Sequence, residues 1–177
     1  MIVPQRLFLV GPMGAGKTTV GRRLASRMGL DFIDTDEEIE RRAGADIPWI
    51  FDVEGEAGFR DREQAVLEDL AGRSQVVLAT GGGAILREAN RRLMVRAGTV
   101  VYLHATVREQ VRRTGRDSRR PLLAKGNPQQ ILSQLMTVRD PLYREAADLV
   151  IDAEGSTPTR MAEDIYQRLL SSGHNNV

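Results

Sequence analysis

Eight consecutive residues, Gly11-Pro12-Met13-Gly14-Ala15-Gly16-Lys17-Thr18, fit the pattern GxxxxGK(S/T) without a gap. Glycines in such a run let backbone N–H groups turn inward around phosphate oxygens, and a helix starting behind them adds the positive end of its dipole. Lys17 would reach the terminal phosphates. Thr18 offers a hydroxyl oxygen to Mg2+, an ion that takes oxygen ligands and keeps several waters. An apolar run, Arg6-Leu7-Phe8-Leu9-Val10, precedes the motif and a helical pattern from Lys17 to Met28 follows it, as the chemistry requires. No Asn-Lys-x-Asp guanine reader occurs in the chain, which favours ATP over GTP.

Three further groups of residues could serve a phosphate acceptor. Asp34-Thr35-Asp36 ends the second strand-like run, where ligands gather in an open parallel sheet. If the chain stays extended there, alternation puts both carboxylates on one side, one near Mg2+ and one near an acceptor hydroxyl. The bland reading is that one of them caps the next helix. The third run ends Ala79-Thr80-Gly81-Gly82-Gly83, where glycines would let a ligand come close to the backbone, or simply turn the chain into a helix. Arg60 and Arg139 are the third group. Taken singly, each arginine is more simply a surface residue. Together with an aspartate they suit a small hydroxylated acid, its carboxylate held in forked hydrogen bonds.

These residues need a scaffold, and the chain has the pattern for one. Short apolar runs at Arg6–Val10, Asp31–Asp34, Val76–Ala79, Thr99–Leu103 and Leu149–Ile151 alternate with helical patterns near 36–43, 48–71, 87–97, 107–113, 128–147 and 158–170. That alternation predicts a three-layer α/β/α fold around a five-stranded parallel sheet, in a single domain over 1–177. The segment 115–127 (GRDSRRPLLAKGN) is polar and long for a connection, the texture of a mobile lid.

Composition narrows the function classes. The 177 residues carry a net charge of +1, too balanced to point to a nucleic-acid partner. There is no cysteine, so disulfides and thiolate metal sites are excluded. No apolar run approaches the roughly 20 residues that span a bilayer. A cytoplasmic monomer without nucleic-acid or membrane partners is the expectation.

In order along the chain stand the phosphate loop, Asp-x-Asp, Phe51-x3-Gly55-Glu56-x2-Phe59-Arg60-x2-Glu63, the triple glycine, Arg120-Pro121-Leu122-Leu123, and Arg139-x-Pro141-Leu142-Tyr143. This combination resembles the shikimate kinases from about Arg6 to Leu170, with no departure at a functional position. The resemblance implies an ATP-dependent kinase forming 3-phosphoshikimate, with Mg2+ as cofactor. It implies a shikimate-binding helical region near 35–65 and a lid near 115–126. Asp36, Arg60, Gly82 and Arg139 would bind shikimate. Gly14, Ala15, Gly16, Lys17, Thr18, Thr19, Arg113 and Arg120 would bind the nucleotide, Arg113 stacking on adenine and Arg120 closing on the phosphates. Thr18, and Asp34 through water, would hold the metal. Lys17, Asp36 and Arg120 form the catalytic set. Kinases of gluconate or of nucleoside monophosphates are the neighbouring alternatives, and a nucleotide-driven switch is the alternative of another class.

Four remaining features have plainer readings. His104 and His174 do not make a metal site. Trp49 packs in the core or a pocket wall, Tyr143 packs and fixes the backbone after Arg139, and the run Glu37–Arg42 forms a solvated helix face with i,i+4 pairs.

Overall fold

The computed structural model describes residues 4–115, 121–123 and 126–172. The five runs form five strands: β1 (Arg6–Val10), β2 (Asp31–Asp34), β3 (Val76–Ala79), β4 (Thr99–His104) and β5 (Leu149–Asp152). All pair in parallel, in the order β2-β3-β1-β4-β5. The helices among the described residues are α1 (Lys17–Met28), α2 (Thr35–Ala43), α3 (Ile47–Leu70), α4 (Glu88–Ala97), α5 (Val107–Thr114), α6 (Pro128–Ala146) and α7 (Pro158–Ser172). Single 3-10 turns lie at Ala84–Leu86 and Pro121–Leu123.

The central strands are apolar throughout because both faces are covered. Phe8, Val10, Leu78, Val100 and Tyr102 point into one core with residues of α2, α3, α4 and α6. Leu7, Leu9, Val77, Val101 and Leu103 point into a second core with α1 and α7. The three-layer α/β/α expectation holds. β1 lies between β3 and β4, so the chain leaving β1 enters the crevice where the strand order reverses, and the phosphate loop sits there.

Several expectations need correction. The chain does not stay extended after Asp34: α2 begins at Thr35, and Asp36 lies in its first turn. The long helix near 48–71 is kinked at Gly55, whose φ of 72° breaks the helical path. Trp49, in the first turn of α3, is 53% exposed and is not a core residue. His104 lies inside β4, its Nδ1 3.7 Å from Asp152 Oδ1; His174 lies outside the described residues. Arg120 and most of the expected lid also lie outside them.

The charged face of α2 is only partly solvated. Ile39 is buried in the core, and Glu38 is held at 2.8 Å by Arg41 and at 2.7 Å by Arg42. Those two hydrogen bonds lower the Glu38 carboxyl from 4.5 to about 2. A depressed carboxyl adds stability that is present above the unfolded value and is lost as pH falls through the folded one. Glu38→Gln should therefore flatten the decline of melting temperature between about pH 4.5 and pH 2. An unchanged acid limb would show that the pair contributes nothing.

Candidate active site

The phosphate loop has the geometry its residues suggest. Gly14 (φ 76°) and Gly16 (φ 89°) both adopt left-handed backbone, which side chains other than glycine rarely take. Gly16 is the N-cap of α1, and no side chain bonds to the helix's first amides. With no acidic residue in that first turn, the N-terminus keeps its positive field for an anion. Lys17 Nζ donates to the carbonyls of Gly11 at 2.7 Å and Pro12 at 2.9 Å, folding its charge back over the loop. Arg113, expected against adenine, donates to Gly14 O at 3.1 Å and pairs with Glu109, so its guanidinium lies against the loop.

The two aspartates divide their work. Asp34 is the helix cap: its Oδ1 accepts from the amides of Asp36 at 2.9 Å and Glu37 at 3.2 Å. Its Oδ2 accepts the Thr18 hydroxyl at 2.6 Å. Because Thr18 donates its only proton there, the lone pairs of its oxygen are open to a hard cation. A hydroxyl beside a carboxylate is the donor set Mg2+ prefers, with phosphate oxygens and waters completing it. No group of three or more His, Cys, Asp or Glu among the described residues could hold a metal alone.

Lys17, Thr18, Thr19, Asp34 and Asp36 line a cavity of about 390 Å³ with Gly14 and Gly16. A smaller cavity of about 80 Å³ adjoins it, lined by Asp36, Arg60, Glu63, Gly82, Gly83 and Arg139. Asp36, Ile47, Gly81 and Gly82 border both. The expected acid-binding residues therefore converge although they come from α2, α3, the loop after β3, and α6. Neither arginine is a surface residue: Arg60 is 8% exposed and Arg139 4%. Their Nε atoms are buried with no hydrogen-bond partner, which leaves capacity for an anion.

The triple glycine proves to serve the protein's own side chains. A Cβ on Gly83 would stand 2.5 Å from Arg60 Cζ. On Gly82 it would stand 3.3 Å from an Arg139 nitrogen, and on Gly81 2.7 Å from Asp36 and 2.8 Å from Glu63. None of the three has a positive φ. Glycine is required here for volume: each missing side chain is the room that a charged group of the site occupies. The Gly81 amide itself donates to Thr35 Oγ1 at 3.2 Å.

The contacts of two motif residues escaped the sequence reading. Glu63 is 1% exposed and holds Arg60 at 2.7 Å. Burial raises its carboxyl, opposed by Arg60, Arg139 and Arg87. Its i+3 spacing from Arg60 was the available signal. The second is the Tyr143 hydroxyl, which donates to Gly82 O.

Comparison with known proteins identifies the family. A profile of the shikimate kinase family matches residues 13–170. The shikimate kinase of Pseudomonas paraeruginosa is 58% identical over 92% of this chain and 95% of its own length. That of Chromohalobacter salexigens is 57% identical over 92% and 90%. The solved shikimate kinase from Acinetobacter baumannii, in complex with shikimate, superposes with a TM-score of 0.93 at 52% identity, covering 95% of this chain and 94% of that one. A gluconokinase from Sinorhizobium meliloti, at 19% identity and a TM-score of 0.61, shares the fold alone. A likeness that runs through nearly the whole chain, in sequence and in backbone, is one of descent, and the chain belongs to the shikimate kinase family.

Proposed function

We propose that this protein transfers the γ-phosphate of ATP to the 3-hydroxyl of shikimate, giving 3-phosphoshikimate and ADP. One observation carries the reading: two buried guanidinium groups, Arg60 and Arg139, surround a small cavity that meets the phosphate-loop cavity at Asp36. Arg60 and Arg139 present two guanidinium groups to receive a carboxylate there. The acid end of shikimate would be clamped there, with its ring hydroxyls at Asp36 and Gly82.

Phosphoryl transfer through a loose transition state needs alignment and charge neutralisation more than covalent help. Gly14, Ala15, Gly16, Thr19 and the α1 amides would cradle the phosphates, and Lys17 would turn from the loop carbonyls to the transferred group. Mg2+, held by Thr18 and through water by Asp34, supplies charge neutralisation when bound. Asp36 orients the attacking hydroxyl and accepts its proton. A free aspartate titrates near 3.9, far below an alcohol, so the proton moves late in bond formation. Arg113 would reach the adenine from the edge of the loop. The segment near 115–126 would act as a lid bringing Arg120 to the phosphates and excluding water, and the helices near 35–65 would form the acid-binding region. We read the protein as a single-domain cytoplasmic monomer with no nucleic-acid or membrane partner. No helix among the described residues is long and apolar enough to cross a membrane.

Incubation with Mg2+-ATP and shikimate, followed by phosphorus NMR of the product, tests the reading. 3-Phosphoshikimate in step with ADP is expected. Preferential phosphorylation of gluconate or a nucleoside monophosphate would replace the acceptor. ADP release with no phosphorylated acceptor would favour a nucleotide-driven switch.

A further inference from the structure

Arg113 joins two elements: it belongs to the last turn of α5, yet its head rests on the phosphate loop. The close fit begins at the backbone. A Cβ on Gly14 would stand 3.3 Å from Arg113 Cβ and equally far from Gln110 Cα and O, so the loop is pressed against one face of α5. Gln110 is buried and donates to Ala105 O at 2.8 Å, which ties that face to the residue after β4. Arg113 Nη1 continues along the loop. It donates to Gly14 O at 3.1 Å and lies 3.5 Å from where a Gly16 Cβ would be. Gly14 and Gly16 both line the phosphate cavity, so a cation stands at its edge.

Another edge of the guanidinium is held by Glu109, one helical turn earlier. Arg113 Nε donates to Glu109 Oε1 at 2.8 Å, and Nη2 lies 2.8 Å from the same oxygen. Residues four apart share a helix face, which is why the two meet. Glu109 is itself fixed. It sits in the first turn of α5, where its amide donates at 3.3 Å to the capping hydroxyl of Thr106, and its side chain is largely buried. The exposed Arg112 shares the carboxylate, donating to Oε1 at 2.6 Å and to Oε2 at 3.2 Å. That hydrogen bonding from Arg112, with the charges of both arginines, holds the Glu109 carboxyl below its usual range. Every nitrogen of Arg113 therefore faces a protein oxygen. With its edges engaged, the group offers a ligand its flat face, the surface on which guanidinium stacks against an aromatic ring.

We propose that Glu109 is a positioning residue for the nucleotide: it locks the plane of the Arg113 guanidinium at the rim of the phosphate loop, so that the face and not the donor edge meets the base. An arginine without that anchor would move among rotamers, and ordering it would cost binding energy. Held between the Glu109 carboxylate and the Gly14 carbonyl, it is preorganised, and stacking does not have to order it first. This inference rests on the reading that Arg113 meets the adenine, and it adds what holds the arginine there.

The test separates base from phosphate, by calorimetric titration of each variant with Mg2+-ADP and with Mg2+-pyrophosphate. Glu109→Ala removes the carboxylate and keeps a good helix former. Its affinity for ADP should fall about three- to tenfold, the cost of immobilising one long side chain, while its affinity for pyrophosphate stays within about twofold of wild type. Arg113→Ala should weaken ADP at least as much. Adding Glu109→Ala to Arg113→Ala should then change nothing more, because the carboxylate acts through an arginine that is gone. Arg112→Ala is the control: it strips the exposed arm from the same carboxylate and should bind ADP as the wild type does. Equal losses for ADP and pyrophosphate in Glu109→Ala would mean that Glu109 shapes the phosphate loop, and no loss for either would mean that Arg113 needs no anchor. Each of these results overturns the proposal and leaves the kinase reading intact. If the wild type binds ADP no more tightly than pyrophosphate, the adenine reading of Arg113 falls together with the proposal, and the product assay with shikimate stands apart from both. Should Glu109→Ala be unfolded at the titration temperature, Glu109→Gln, which keeps the volume and weakens the bond, is read in the same way with the same outcomes.

Discussion

An Asp36→Asn enzyme should fold, bind ATP as the wild type does, and turn over about 10²–10⁴-fold more slowly, the usual contribution of a positioned acid or base. The choice of Asp36 over Asp34 comes from their hydrogen bonds. Both oxygens of Asp34 are already engaged, by two helix amides and the Thr18 hydroxyl, so its carboxylate is committed to holding the loop and α2 in place. Asp36 stands where the phosphate-loop cavity meets the cavity of the two arginines. Only there can one carboxylate touch a hydroxyl whose acid end is clamped by Arg60 and Arg139 and whose oxygen faces the transferred phosphate. Asparagine is nearly isosteric and retains one acceptor oxygen, but it cannot take a proton. KM for ATP, measured alongside kcat, should be unchanged because the phosphate cradle is untouched. A kcat within tenfold of wild type would mean that orientation alone matters and that the proton leaves by another route.

Glu63→Ala should cost stability rather than chemistry first. Deleting one member of a buried ion pair strands the other, at a cost of about 3–5 kcal/mol. Among the described residues the remaining ion-pair partner of Arg60 is Glu56, at 3.4 Å and half exposed. For a domain of this size the loss corresponds to a fall of about 6–20 °C in melting temperature. Glu63→Gln keeps an acceptor for the guanidinium and should lose less than half as much. The solvent-exposed pair Arg92–Glu88 is the contrast: Glu88→Ala there should cost at most about 1 kcal/mol. Thermal melts of the three variants check this. A Glu63→Ala protein that melts within about 2 °C of wild type would show that Arg60 escapes to solvent and that the pair does not shape the clamp.

These expectations depend on features the chain discloses to different degrees. The phosphate loop is legible because every part of it is contiguous: eight residues, a strand before and a helix after. The sheet is legible because apolar runs too short for helices can be satisfied only between two covering layers. The helix kink at Gly55 and the exposure of Trp49 were not legible, since a helical pattern says little about where the path bends. Asp36 and the two arginines were candidates from their residue types and motif setting. Nothing local could say that α2, α3 and α6 bring them to one wall.

What the amino-acid order determined by itself was local: which backbone stretches repeat every second or every fourth residue, where glycine frees the chain, and which eight residues form the phosphate-loop motif. What only the folded chain decided was partnership across distance. Asp34 and not Asp36 is the cap, Glu63 holds Arg60, the Tyr143 hydroxyl reaches the Gly82 carbonyl, and the triple glycine makes space for Asp36, Arg139 and Arg60. The reason is physical. Periodicity specifies which face of an element is buried, but the volume and charge that meet that face are supplied by other elements. Tyr143 and Gly82 are 61 residues apart in the chain, and only packing on a common sheet makes them neighbours.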